Sequence, residues 1–418
     1  MMRVIALAAI VGCDVSWAAN AALHQLTLEQ ARKLMLENNR ELRLARHAVA
    51  GAEADILSAA APPNPTLSIS SAKLGPGHGS DSPSLWNRVE SSVGVTQLFE
   101  RGRKRELRTE AARLTASATR SEAAAVERQQ RIELARTYYD LAVAQERVRI
   151  ASENAALFDN TIEAAERRVQ AGDLSRADLA RLTVDALRAR NEAEQGRLER
   201  ERAQVALGYV IGAEADARSI EAADPWPPIA PLLERSTLGR YVDQRPDVQA
   251  AEARVQAADT ARALAQSLRT RDVTAGLQLD RTPADVTRHS VGVSVSVPLF
   301  TRYYYEGEIR RSEADFLTAQ TTLERTRAAA LSEINAAAAT YNNTAERVVR
   351  FQSVLLKAAE QAAAGAEFAY SRGAIGVMDL LDARRQQHAT RLEYADALGE
   401  YAKALSIWRA STDTGGNM

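Results

Sequence analysis

The sequence predicts a mainly α chain with a small β part, in which a strand pair followed by a long antiparallel helical hairpin is written twice. An apolar seam steps in sevens through Ile334, Tyr341, Val348, Leu355, Ala362 and Ala369, with Ala338, Ala345, Ala359 and Ala366 between them. It lies in the proline-free run from Ser312 to Ala369, which reads as one uninterrupted helix. Side chains three or four apart share a helix face, so this is the seam of a coiled coil. The same figure appears half a chain earlier in Leu134, Leu141, Val148, Ala155, Ile162 and Val169. Each run ends in glycine punctuation, Ala171-Gly172-Asp173-Leu174-Ser175 and Arg372-Gly373-Ala374-Ile375-Gly376. The offset is nearly constant: Leu299-Phe300 follows Leu98-Phe99 by 201 residues, and Gly373, Asp379 and Leu380 follow Gly172, Asp178 and Leu179 by 201.

Taken in order, residues 1–19 read as a secretory leader, with Arg3 before the apolar run Val4–Val11 and small residues after it. Cleavage after Ala18 or Ala19 removes Cys13, the single cysteine. The rival reading treats Ile10-Val11-Gly12-Cys13 as a lipoprotein processing site, with Cys13 lipidated and Asp14 resembling an inner-membrane retention signal. On either reading no disulfide forms within the mature chain.

The first repeat covers 26–210. Thr27 and Gln30 form a capping box that opens a helix expected to reach Ala60, where Pro62-Pro63-Asn64-Pro65 stops it. Strands are expected at Thr66–Ser70 and Val89–Phe99, joined by a glycine-rich loop containing His78. A helix then runs from near Arg103 to Ala171, and a second from Ser175 to about Tyr209. Residues 211–234 hold the proline-rich linker Pro225–Pro231. The second repeat, 235–410, brings a helix over Val242–Ala265, strands at Asp272–Asp280 and Ser290–Leu299, and the second hairpin. A tail, 411–418, closes the chain.

Charge is balanced, 53 basic residues against 54 acidic, which excludes the basic face of a nucleic-acid binder. Beyond the leader no apolar run approaches the ~20 residues of a transmembrane helix. Any spanning part is therefore built from strands. Val291, Val293, Val295 and Val297 share one strand face, opposite Gly292, Ser294 and Ser296. That alternation fits a sheet on a soluble core and equally an outer-membrane barrel with a wet interior. Four strands cannot close a barrel, since the smallest uses about eight, so strands in lipid must be pooled between chains.

In this order of elements, and in Asn64-Pro65-Thr66-Leu67, Gln97-Leu98-Phe99, Pro298-Leu299-Phe300 and the two tips with Asp178 and Asp379, the chain resembles the TolC-like outer-membrane efflux proteins. Gly102-Arg103-Lys104-Arg105-Glu106-Leu107-Arg108 resembles the glycine-lysine-arginine stretch of the CzcC-like, heavy-metal branch, with the order of lysine and arginine altered. The resemblance implies a homotrimer whose four strands per chain make a twelve-stranded outer-membrane β-barrel above a periplasmic α-barrel. It also implies a Gram-negative outer-membrane location, a periplasmic adaptor, an inner-membrane RND pump, and passive conduction with heavy-metal cations as the leading cargo. Drug efflux, type I polypeptide secretion, or a periplasmic coiled-coil scaffold are the competing readings.

No catalytic constellation, cofactor motif or metal-ligand spacing stands out, and the histidines (His24, His47, His78, His289, His388) are scattered, with His78 and His289 in expected outer loops. Charge gathers at the tips in Asp173, Arg176, Asp178, Arg372 and Asp379. Asp178 and Asp379 suit helix capping as well as a gate. Arg176 and Arg372 are better gate candidates, because a cation at a helix start has no capping role.

Overall fold

The computed structural model describes residues 25–72, 89–231, 239–282 and 289–412. The leader with Cys13, the loop with His78 and residues 413–418 lie outside the described residues. Internal contacts divide the chain into two units, one drawing on Met1–Ala45, Ala123–Arg245 and Ala328–Met418, the other on Arg46–Glu122 and Pro246–Arg327.

The second unit carries the sheet. Strands β1 (Thr66–Ala72), β2 (Glu90–Phe99), β3 (Val273–Arg281) and β4 (His289–Ser296) pair antiparallel in the order β1-β2-β3-β4. β4 stops at Ser296, so Val297 falls beyond the expected stripe; Pro298, two residues on, has no amide hydrogen to extend a ladder. His289 opens β4 and pairs with Arg281 instead of sitting in a loop.

The remaining described elements are mainly helices, which the two units share, the helix over Pro246–Ser267 lying wholly in the unit of the sheet. Helix α1 (Leu28–Asn38) starts at Thr27 with the expected capping box. It does not continue to Ala60. Asn39 adopts extended backbone, and α2 (Arg40–Ala60) begins after it. The Asn39 side chain explains the break: its carbonyl accepts the Leu42 amide, as an N-cap does, and its amide donates to the Val210 carbonyl and to Gln130.

The long helix α3 (Lys104–Ala171) spans 68 residues and pairs with α4 (Arg176–Ile211). α5 (Pro246–Ser267) begins at a proline, whose missing amide costs nothing in a first turn, and so starts later than Val242. The run from Ser312 is not one α-helix. α6 (Glu306–Arg350) passes through a π-helical turn, Phe351–Leu355, into α7 (Leu356–Ser371). α8 (Val377–Thr412) returns, running two residues past the expected end of the repeat.

The π turn changes which residues are buried. Tyr341, Ala345, Val348 and Phe351 face the core, then Leu356 is half-buried and Ala359 and Ala363 are buried. The interval from Phe351 to Leu356 is five residues, one more than an α-helical step. Leu355 is consequently 46% exposed and Ala362 exposed, where the seven-residue spacing expects them inside.

The linker lies across both hairpins. Leu26 pairs in parallel with Ala222, and the buried Tyr138 hydroxyl meets the Leu26 carbonyl at 3.0 Å and the Asp224 carboxylate at 3.1 Å. Farther along, Tyr401 donates to the Pro228 carbonyl at 2.8 Å and Tyr341 to that of Ala230 at 3.0 Å.

Candidate functional site: an apolar sheet face and paired hairpin tips

Strand register sorts the sheet into two chemically different faces. Leu67, Val95, Leu277 and Val293 stand in one row across all four strands, and Ile69, Val93, Leu279 and Val291 in the next. All eight are between 44% and 76% exposed. Val295 extends the surface at 68%. On the opposite face the rows read Ser68, Gly94, Gln278, Gly292 and Thr66, Thr96, Gly276, Ser294. Hydroxyls there satisfy one another and the backbone: Ser70 and Ser92 lie 2.6 Å apart, and Ser68 donates to the Gly94 carbonyl.

A continuous apolar face of this extent is unfavourable in water, since each fully buried aliphatic side chain is worth ~1.5–3 kcal/mol. β1 and β4 each pair on one side only among the described residues, leaving a row of open backbone groups at both margins.

The two tips lie together. Leu174 and Leu179 of the first hairpin and Tyr370 and Met378 of the second pack against one cluster containing Phe158, Leu182, Val377 and Leu381. Both turns place glycine in the left-handed region, Gly172 at φ 82 and Gly373 at φ 72, where a side chain would strain the backbone. The predicted tip residues divide by role. Ser175 caps α4 by accepting the Asp178 amide and donates to the Asp178 carboxylate at 2.7 Å. Asp379 accepts the Gly376 amide at 3.2 Å. Asp379 thus caps the start of α8, while the Asp178 carboxylate holds the hydroxyl of the capping serine. Arg372 lies 5.3 Å over the Phe368 ring. Asp173 and Arg176 are exposed and form no side-chain hydrogen bond or ion pair with another described residue.

Sequence reasoning missed the cross-links between hairpins. Arg168 of α3 donates to the Tyr370 hydroxyl at 2.6 Å and stacks on its ring at 5.3 Å. Arg147 grips Asp396 through two hydrogen bonds, 2.9 and 2.8 Å, and reaches Glu199 at 3.3 Å. Hydrogen bonding to Asp396 raises the Arg147 pKa against the cost of burial. The hydrogen bond from Arg391 holds the Glu153 carboxyl below the usual range, helped by Arg149. His388 sits 3.1 Å from both oxygens of Glu192. Partners some 200 residues away in the chain have no local signature in the sequence. Among the described residues, no group of three or more His, Cys, Asp or Glu is arranged to hold a metal ion.

Comparison with known proteins places these features. The family model described as outer membrane efflux protein matches residues 31–213 and 238–408. The cobalt-zinc-cadmium resistance protein CzcC of Cupriavidus metallidurans is 26% identical over 398 residues, covering 92% of this chain and 89% of that protein. The outer-membrane channel OprN superposes with a TM-score of 0.78 at 21% identity, over 96% of this chain and 92% of that one. The open-state MtrE outer membrane channel of Neisseria gonorrhoeae gives 0.74 at 18% identity, over 92% and 88%.

Proposed function

This chain belongs to the outer membrane efflux protein family, and from that premise we propose that it is the trimeric exit duct of a tripartite efflux system whose cargo is heavy-metal cations. The observation that carries the reading is the four-stranded sheet with one continuous exposed apolar face and two open margins. Three copies joined margin to margin give twelve strands, satisfy every edge, turn the apolar rows to lipid and leave serine, threonine and glycine around a wet lumen. Helices of the family lie in the periplasm, where the tips of α3/α4 and α7/α8 would meet an adaptor and, through it, an inner-membrane RND pump. Metal cargo is supported by the likeness to CzcC. The division into leader 1–19, repeats 26–210 and 235–410, linker 211–234 and tail 411–418 belongs to the same proposal.

Gating is assigned to the tips. With Asp178 bonded to the capping Ser175 and Asp379 to the Gly376 amide, Asp173, Arg176 and Arg372 remain for pairing between copies around a threefold axis.

The test is assembly and export together. Outer-membrane fractions from a strain expressing the chain should contain a crosslinkable trimer, and deleting the gene should sensitise cells to zinc, cobalt or cadmium. Val293→Arg, costing ~2–4 kcal/mol per copy near mid-bilayer, should deplete the assembled trimer, whereas Ser294→Arg should be tolerated. Equal tolerance at the two positions, or a soluble monomer, would overturn the duct.

A further inference from the structure

The stretch Gly102-Arg103-Lys104-Arg105 is left without a task by conduction and gating. Its place in the fold divides its residues. Lys104 turns inward: it is buried, donates to the Thr270 carbonyl at 2.8 Å and pairs with Asp272 at 2.8 Å. Gly102, at φ 72, lies so close to Thr270 that a Cβ would come within 2.8 Å of it. These two residues lock the end of β2 onto the start of β3. Arg101, Arg103 and Arg105 point outward and are exposed.

The duplicated junction after β4 adds to the same surface. Arg302, like Arg101, follows the strand and is exposed. Arg271 lies 5.4 Å over the Phe300 ring, whose edge also meets Tyr305 at 5.3 Å. Exposed around these cations are Leu299, Phe99, Tyr303 and Tyr304, at 74%, 54%, 50% and 47%. Nearby carboxylates are largely engaged: Glu100 by Arg108 at 2.7 Å, Asp272 by Lys104, and Glu308 by the Tyr303 hydroxyl at 2.6 Å. Arg101, Arg103, Arg105 and Arg302 form no ion pair with a described residue. Nor do Arg103 and Arg105 help the helix, because cations oppose the positive end of α3.

An aromatic fringe backed by cations, directly below an apolar sheet face, is the arrangement that meets a membrane–water boundary. β2 and β4 both run toward this end before the chain enters α3 and α6, the helices that the duct reading puts in the periplasm. We propose that this collar binds anionic glycerophospholipid headgroups in the periplasmic leaflet of the outer membrane, the phosphates lying against Arg101, Arg103, Arg105 and Arg302. The inference rests on the duct reading, which puts the apolar sheet face in lipid.

Native mass spectrometry of the purified protein tests both at once, since mass reports assembly and adducts report lipid. The protein is titrated with phosphatidylglycerol, with phosphatidylcholine and with lipid A. Trimer retaining phosphatidylglycerol in preference to the other two supports the collar. In R101Q/R105Q/R302Q the trimer should persist while phosphatidylglycerol binding weakens roughly five-fold per arginine, the value of one basic residue at an anionic surface. A matched R181Q/R188Q/R197Q variant on α4 should bind as the unaltered protein does. A trimer that holds phosphatidylcholine equally, prefers lipid A, or binds unchanged after the triple substitution overturns the collar and leaves the duct standing. A monomer with no assembled form overturns both.

Discussion

In the first hairpin, α3 stays α-helical for 68 residues and buries one seam from Leu134 to Ala165 in steps of three and four. In the second, the equivalent helix reaches Phe351, takes a π turn, and resumes with its seam moved by one residue. The ends of the two hairpins nonetheless agree: a left-handed glycine, an N-terminal cap and an aspartate in the first turn of the returning helix. The duplication therefore holds its turns and caps fixed while the register between them drifts. A turn is set by two or three residues, whereas a seam is a long sum of small terms that one local bulge can re-phase.

The largest expected effect breaks the comparison directly. Deleting Ser353 from the π turn should convert it to an α turn and keep Leu356, Ala359 and Ala363 on the seam, with melting temperature near that of the parent. Deleting Ser152 from α3 has no bulge to absorb it. Everything toward the tip rotates by about 100°, the angle per α-helical residue, and Phe158, Ala155 and Ala165 leave the core. Phe158 alone is worth ~1.5–3 kcal/mol. No assembled protein is expected from that deletion, and equal yields of the two would show that the π turn is not a tolerated insertion.

Why the π turn escaped the sequence is visible in its residues. Leu355 is followed by Leu356, Ala362 by Ala363, and Ala369 by Tyr370, so the same stretch supplies an apolar face in either register. Periodicity cannot choose between two phases that both fit. The break at Asn39 was hidden for a related reason: apolar positions continue through it, and only the side chain's bonds to Val210 and Gln130 reveal the new start. Legible features rested on chemistry that acts within a few residues, namely the Thr27 capping box, the proline stops, the glycine turns and the valine alternation of β4. Capping and gating were legible as alternatives for Asp178 and Asp379, and within one chain Asp379 accepts the Gly376 amide while Asp178 bonds the Ser175 hydroxyl. Pairs such as Arg147 with Asp396 depend on which helices become neighbours.

A middle-sized effect sharpens the likeness between hairpins. Tyr138 of the first and Tyr341 of the second are buried and both hydrogen-bond the linker, at Asp224 and Ala230. Tyr138→Phe and Tyr341→Phe should each cost ~1–3 kcal/mol, because linker groups lose a buried partner. Burial pushes the Tyr341 hydroxyl up to about 12 from its ordinary 10.0. The folded state then holds a proton that the unfolded chain releases, so this contribution is intact below pH 10 and declines as pH rises from 10 toward 12. Denaturation across that window should show a slope toward ~1.4 kcal/mol per pH unit that is reduced in Tyr341→Phe. An unchanged slope would place the titrating group elsewhere.

The smallest effect asks whether the tips differ in use. Exposed pairs at a wet constriction are worth ~1 kcal/mol or less each. Arg176→Ser and Arg372→Ser together should raise single-channel conductance of the trimer in planar bilayers, with the Arg372 change alone having the lesser effect because its guanidinium is already stacked on Phe368. Conductance unchanged in the double variant would remove both arginines from the gate.

The linker's path gives the helical unit a property that its repeats alone would lack. Stacked repeats usually behave as a one-dimensional array, in which one member can open while its neighbour stays folded. Here a single strand of chain fastens Leu26, Tyr138 and Gln145 on one side through Ala222 and Asp224, and Tyr401 and Tyr341 on the other through Pro228 and Ala230. Opening either hairpin strips hydrogen bonds from a segment that the other is still using. The duplicated halves are thereby joined into one cooperative unit, and amide exchange in Tyr138 and Tyr341 reports the same opening event.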